Sequence, residues 1–202
     1  MKGSTGKMKI GLDGNEANVK NRVGSGVYAY ELLKEFAKNK DHNFKVYLKE
    51  KPRADLSKET LNLKYIVFGP KKFWTRVALP AKLAFGPKLD VFFSMGHYGP
   101  LLSKVPYIVT IFDLSYLHFP ELFKKDDLYQ LTNWSKRSIL NSKHIFAISR
   151  STKADIIKNY RVEPSKITVT YMGYDPKFKK QPESQIKSIK KKYNFAMRKC
   201  II

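Results

Sequence analysis

Cysteine, acidic residues and long apolar runs are all scarce in this chain of 202 residues. The one cysteine, Cys200, excludes an internal disulfide and offers no metal-ligand spacing. No apolar run approaches the roughly 18 residues of a membrane span. The N-terminus lacks the apolar core of a signal peptide, and residues 1–7 read as an added leader before a start at Met8. The G-x-G-x-x-G dinucleotide fingerprint is missing, because Ala29 stands where the last glycine belongs and the loop before Gly24 is too long. The Walker pattern is missing too, and no internal repeat is visible. These absences leave a soluble protein of a reducing, cytoplasmic compartment.

Present instead are 43% hydrophobic residues, including 13 Phe and 12 Tyr, which is ample for a core. Acids number 17 against 39 Lys and Arg, a formal charge of +22. About a third of that excess lies in residues 176–199, where Glu183 is the single acid. A second basic block, residues 70–88, interleaves Lys71, Lys72, Arg76, Lys82 and Lys88 with Phe73, Trp74, Leu79, Leu83 and Phe85. Such a mixture suits a nucleic-acid surface or an anionic membrane face. For nucleic acid, a solvated basic face over a buried apolar side is the better reading. For weak peripheral attachment to the inner face of a membrane, the two readings are level.

Short apolar segments alternate with helical periodicities along the chain. Strands are expected at 8–12, 44–48, 63–68, 89–94, 107–112, 144–148 and 166–170. Helices are expected after Gly24, over 72–85 with Pro80 at a start or kink, over 125–141, and through Tyr160 behind a Ser149 or Ser151 cap. Residues 51–62 and 114–124 read as loops. The fold class is therefore α/β: a Rossmann-like, doubly wound, mostly parallel sheet of about seven strands with helices on both faces.

Ligands of such sheets bind at the carboxyl ends of the strands. The first strand leads into Asp13-Gly14-Asn15 and then Gly24-Ser25-Gly26-Val27-Tyr28, at the start of a helix. Glycines there let backbone approach a ligand, and free N–H groups favour a phosphate. Ser25 is a candidate cap. A plain tight turn explains the same residues equally well. The other strand ends nominate Gly96-His97-Tyr98, Asp113, Ser149-Arg150 and Tyr171 to Gly173. Taken singly, Asp113 reads as a turn residue and His97 as a satisfied loop histidine. Their common edge makes them a site.

The order of motifs resembles the N-terminal half of the large group 1, family-4-like, retaining glycosyltransferases of the GT-B fold. The matching stretches begin with Lys9-Ile10-Gly11-Leu12-Asp13, Gly24-Ser25-Gly26-Val27-Tyr28 and Leu79-Pro80 after Trp74. Asp90-Val91-Phe92-Phe93-Ser94, Val109-Thr110-Ile111-Phe112-Asp113-Leu114-Ser115 and Phe119-Pro120-Glu121 follow. Ala147-Ile148-Ser149-Arg150-Ser151-Thr152-Lys153, Lys166-Ile167-Thr168-Val169 and Gly173-Tyr174-Asp175-Pro176 complete the series. The resemblance implies that a sugar passes from a nucleotide-sugar donor to a hydroxyl of a glycan or lipid-linked saccharide, with retention. It implies no cofactor and no metal.

By position, the resemblance puts Gly24 and Gly26 near the donor diphosphate and acceptor, and Ser25, Tyr28, His97, Tyr98, Ser149 and Arg150 are the further binding candidates on the shared strand-end edge. Asp113 inherits a catalytic or hydroxyl-holding role. The family carries His where this chain has Phe112, so another residue such as His97 or His118 would have to reach in. Met172 stands where the family usually has Asn. The implied organisation is an acceptor-side domain over 8–178, a basic connection over 179–198, and the first residues of a nucleotide-sugar domain over 199–202. Without that partner domain, the chain is expected to be inactive. The alternative is a non-catalytic basic α/β module that binds sugar, nucleotide or nucleic acid.

Overall fold

The structure, a computed structural model, describes residues 6–175 and 178–193. Most of the expected leader, Pro176 of the last motif and Cys200 with the expected domain start at 199–202 lie outside the described residues. Two compact units are present, one through Tyr171 and one from Met172 onward.

The first unit is built on seven strands: β1 (Lys9–Asp13), β2 (Asn43–Leu48), β3 (Leu63–Val67), β4 (Val91–Ser94), β5 (Tyr107–Ile111), β6 (His144–Ala147) and β7 (Ile167–Val169). All pair in parallel, in the order β3-β2-β1-β4-β5-β6-β7. The helices of this unit are α1 (Ser25–Lys38), α2 (Leu79–Phe85), α3 (Ser115–His118), α4 (Lys125–Gln130), α5 (Lys136–Asn141) and α6 (Arg150–Tyr160).

Strand alternation divides the core in two. Phe44, Val46 and Leu48 of β2 join Phe93 of β4 beneath Ala29 and Leu33 of α1. On the opposite face Tyr47 and Phe92 pack with Leu79 and Leu83 of α2, Ile139 of α5 and Ile156 of α6. Helices therefore cover both faces, and the strands read as nearly continuous apolar runs because neither face meets water. Each fully buried Leu, Ile or Phe contributes about 1.5–3 kcal/mol.

The chain runs outward from β1 to β3, returns to pair β4 with β1, and then continues in the other direction. The reversal lies between β1 and β4, where Asp13 faces Ser94 in register. A crevice at such a reversal is the usual ligand position of an open α/β sheet.

Two expected helices contain wider turns. Trp74–Ala78 and Leu131–Ser135 are π-helical, and α2 begins only at Leu79. Pro80 has no N–H to donate to the turn before it, and the Leu79 N–H reaches back to Trp74 O. The expected loop 114–124 holds α3 and a 3₁₀ turn, Pro120–Leu122.

In the second unit, α7 (Glu183–Lys192) carries Glu183 in its first turn and Lys190, Lys191 and Lys192 in its last, as the helix dipole favours. Among the described residues, no helix is long and apolar enough to cross a membrane.

Candidate functional site

A cleft of about 370 Å³ opens at the β1–β4 reversal. Its floor begins with Asp13, the last residue of β1. Asp13 Oδ1 accepts hydrogen bonds from Asn15 N at 3.0 Å and Asn15 Nδ2 at 2.8 Å. Asn15 Oδ1 in turn accepts from Lys49 N at 2.9 Å, which fixes the loop to the end of β2. Burial, reinforced by the nearby Glu16 charge, raises the Asp13 carboxyl to about 6 despite the Asn15 bonds and Lys49. A carboxylate that holds its proton to that pH is common at catalytic and binding sites.

The glycine segment forms the adjacent wall. Gly24, at φ 46° and ψ −111°, occupies backbone space that side chains rarely adopt and serves as the N-cap of α1. Ser25 does not cap the helix as expected. Its hydroxyl donates to Glu16 Oε2 at 2.9 Å, because the cap position falls one residue earlier. The Gly26 N–H, expected to be open to an anion, donates to Val23 O at 2.9 Å. A Cβ at Gly26 would come within 3.0 Å of Glu16 O, so this glycine permits a close backbone approach.

The facing wall comes from the loop after β4 and the two π-turns. Ser94 Oγ donates to Tyr98 O, which curls the loop back so that Gly96, His97 and Tyr98 line the cleft. Tyr98 meets the Trp134 ring edge-on, and the Arg76 guanidinium lies 4.8 Å over the same ring. Lys49, Lys71 and Arg76 give the lining its positive charge against Asp13 and Glu16. Lys71 also pairs with Glu50 at 3.1 Å.

His97 is joined to Phe112. The rings stack at 5.6 Å with 12° between planes, and His97 Nε2 accepts the Phe112 N–H at 3.3 Å. Burial lowers the imidazole to about 4, a shift that Asp113 opposes, so the ring is neutral near pH 7. With Nε2 accepting, the ring proton belongs on Nδ1, which is buried and has no hydrogen-bond partner. Tyr28 packs edge-on to Phe112 at 5.3 Å, and its hydroxyl lies 3.3 Å from Thr110 Oγ1. Thus, of the two histidines expected to reach Phe112, His97 does so. His118 does not: its Nε2 lies 3.8 Å from Asp155 Oδ2.

Of the residues nominated from the sequence, Ser25, His97 and Tyr98 line the cleft. Gly24, Gly26 and Tyr28 do not line it: Gly24 is the N-cap of α1, Gly26 lies in its first turn, and Tyr28 packs on Phe112. Asp113, Ser149 and Arg150 stand outside its lining. Asp113 is exposed and its Oδ1 accepts from Ser115 N and Oγ at the start of α3. Ser149 caps α6 by accepting Thr152 N at 3.0 Å. Arg150 is exposed in the first turn of that helix. Asp13 itself, Glu16, Lys49 and Trp134 were not nominated. For Asp13 the available signal was an acid closing the first strand, the strand nearest the reversal in sheets of this order. Among the described residues, no group of three or more His, Cys, Asp or Glu is arranged to hold a metal ion.

An all-parallel sheet that reverses at a polar cleft makes the first unit Rossmann-like, as one half of a GT-B fold is. A family model described as Glycosyltransferase Family 4 matches residues 23–178, and the chain belongs to that family. Among solved structures, it is similar to Anabaena Alr3699/HepE in complex with UDP-glucose, at 16% identity and a TM-score of 0.55. That alignment covers 95% of this chain and 51% of the other. The same protein in complex with UDP and glucose aligns at 15% identity and a TM-score of 0.54, covering 93% and 50%. The chain thus spans about half the length of the solved structures it matches. A comparison with curated proteins finds no match.

Proposed function

We propose that this chain is the acceptor-side half of a retaining glycosyltransferase, which moves a sugar from a nucleotide-sugar donor to a hydroxyl of a glycan or lipid-linked saccharide. The observation that carries the reading is the cleft at the β1–β4 reversal, with carboxylates on its floor and cations on its rim. The likeness to HepE, whose structures hold UDP-glucose and UDP, supports a nucleotide sugar as donor. The half-length match supports a second domain, over the connection after residue 178, that holds most of this donor. Alone, the chain would then be catalytically silent. The donor is a co-substrate, and the reading invokes no further cofactor.

In this reading the acceptor lies between Asp13 and Glu16, which accept hydrogen bonds from its hydroxyls, and Tyr98 and Trp134, against which a sugar face packs. Lys49, Arg76 and the start of α1 oppose the charge of the leaving diphosphate. Retaining glycosidases place two carboxylates about 5 Å apart and use one as nucleophile. A glycosyltransferase that works by front-face attack relies on positioning and on stabilising the diphosphate instead, and the leaving group itself helps to take the acceptor proton.

The test is turnover in the full-length parent enzyme with a panel of nucleotide sugars. Gly26→Val forces a side chain against Glu16 O and displaces the glycine wall, so kcat/KM should fall by about a hundredfold or more. Unchanged turnover in a folded variant would remove the glycine loop from the reaction.

A further inference from the structure

Residues 51–62 hold neither helix nor strand, yet the segment is fastened along its length. Its far half is bonded to β3, the outer strand of the sheet: Glu59 Oε1 accepts the Tyr65 N–H at 2.8 Å, and Ser57 O accepts the Tyr65 hydroxyl at 2.7 Å. Leu56 is buried in the core beneath α1. Next to it, Asp55 meets Arg22, which lies two residues before Gly24. The pair is two-pronged, with Arg22 Nη1 donating to Oδ2 at 2.8 Å and Nη2 to Oδ1 at 3.1 Å.

Arg22 does more than pair. Its side chain is only 12% exposed, and its guanidinium lies 4.2 Å over the Tyr30 ring, whose hydroxyl donates to Asp55 O at 3.1 Å. The third nitrogen, Nε, donates to Ala17 O at 2.6 Å, the carbonyl next after Glu16. A Cβ on Gly26 would meet Glu16 O at 3.0 Å and the Arg22 stem at 3.5 Å, so these three groups pack against one another. An ion pair at a surface stabilises a fold very little. A planar fork that joins a carboxylate, a ring and a loop carbonyl instead fixes geometry, and an ammonium on a flexible stem cannot replace it.

We propose that Arg22 is a positioning residue of the cleft: braced by Asp55, it holds the backbone at Glu16 against Gly26 so that the Glu16 carboxylate meets a sugar hydroxyl. The proposal rests on the glycosyltransferase reading of that cleft and adds to it a residue outside the lining. Glu16 is then fixed twice, at its carboxylate by the Ser25 hydroxyl at 2.9 Å and at its backbone by Arg22. Segment 51–62 ties this support to the edge of the sheet. A binding group held by such an outer layer keeps its geometry when ligand enters.

The first test observes Glu16 in the chain of 202 residues. Its carboxyl carbon is followed by NMR and assigned by its disappearance in Glu16→Gln. Arg22→Lys and Asp55→Asn should each move this resonance toward that of a freely rotating glutamate. Lys38→Gln, which removes an exposed pair with Glu35, should leave it in place. The second test is turnover of the full-length parent enzyme with the nucleotide sugar it accepts. Arg22→Lys should lower kcat/KM about tenfold in the parent, but less than about twofold in the Glu16→Gln background, where the group it positions is already gone. A purely stabilising role would lower turnover equally in both backgrounds and would overturn the proposal. So would a Glu16 resonance that Arg22→Lys leaves unmoved. The NMR measurement needs no donor, so its failure leaves the cleft reading standing. Failure of the Gly26→Val assay would leave the Glu16 signal and its response to Arg22→Lys intact.

Discussion

The two ends of the carboxyl edge differ in what their polar groups do. At β5 and β6 the polar residues satisfy one another. Ser149 caps α6, Thr152 Oγ1 donates to Phe112 O at 2.7 Å, and Asp113 holds the first turn of α3. At β1 and β4 charged groups of both signs converge on an open cleft, and the Asp13 carboxyl is shifted far from its usual range. Motifs of similar appearance are thus arranged differently: at one end hydrogen bonds within the chain hold the edge of the sheet together, and at the other charged groups line an open cleft. Stability and function should separate along the same line, since sites arranged for a ligand tend to sacrifice stability.

The largest expected effect is at Asp13. Its carboxyl rises from 3.8 to about 6 on folding, which corresponds at about 1.4 kcal/mol per pH unit to about 3 kcal/mol. The folded state holds the proton more tightly, so the penalty is absent below pH 4, grows as pH rises to 6, and is complete above. Asp13→Asn keeps the acceptor for the Asn15 amide and removes the charge. It should stabilise the protein by about 3 kcal/mol at pH 7 and by almost nothing at pH 4, read from urea unfolding at each pH. His97 works in the opposite sense. Its folded value of about 4 lies below its usual 6.5, so the stability it lends is complete above pH 6.5 and is lost as pH falls toward 4. The two slopes oppose each other between pH 4 and 6, and Asp13→Asn should expose the acid sensitivity that His97 imparts. A variant no more stable than the parent at pH 7 would place Asp13 with the self-satisfied residues.

Much of the fold was legible because buried parallel strands carry continuous apolar runs such as Val91-Phe92-Phe93. The π-turns were not, since five residues such as Trp74 to Ala78 show no period distinct from 3.6, and the wider hydrogen bond follows from Pro80 in three dimensions. The role of Ser25 was missed for a nearby reason: Gly24, with its positive φ, takes the cap one residue earlier. The perturbation of Asp13 depends on β4 lying against β1, a contact across about eighty residues that no local pattern encodes. At Asp113 the local pattern is formed as read. Asp113-Leu114-Ser115 is a readable turn, and Asp113 Oδ1 accepts the Ser115 N–H at 2.9 Å.

Thr152 comes next in size. Thr152→Val keeps the shape but removes the donor to Phe112 O and the contact with Ser149 Oγ at 2.9 Å. A half-buried carbonyl left without its partner should cost about 1–2 kcal/mol, read as a lower urea midpoint at unchanged slope. The KM of the parent enzyme should not change, because Thr152 does not line the cleft. A raised KM at full stability would mean that the β5–β6 end also serves the ligand, and the contrast would fail.

The smallest effect compares two serines beside helix starts. Ser149 accepts the Thr152 N–H as a true cap, so Ser149→Ala should destabilise by about 1 kcal/mol. Ser25 sits inside the first turn of α1 and donates only to the exposed Glu16 carboxylate, so Ser25→Ala should change stability by less than about 0.5 kcal/mol. Turnover of the parent enzyme should rank them the other way. Without the Ser25 hydroxyl, Glu16 is no longer held against the glycine wall, and the acceptor loses a positioned partner. Ser149 touches nothing in the cleft, so its loss should leave KM alone. A Ser25→Ala enzyme with unaltered KM and kcat would mean that the Glu16 carboxylate is positioned by its own backbone, and that the glycine segment contributes shape rather than hydrogen bonding to the site.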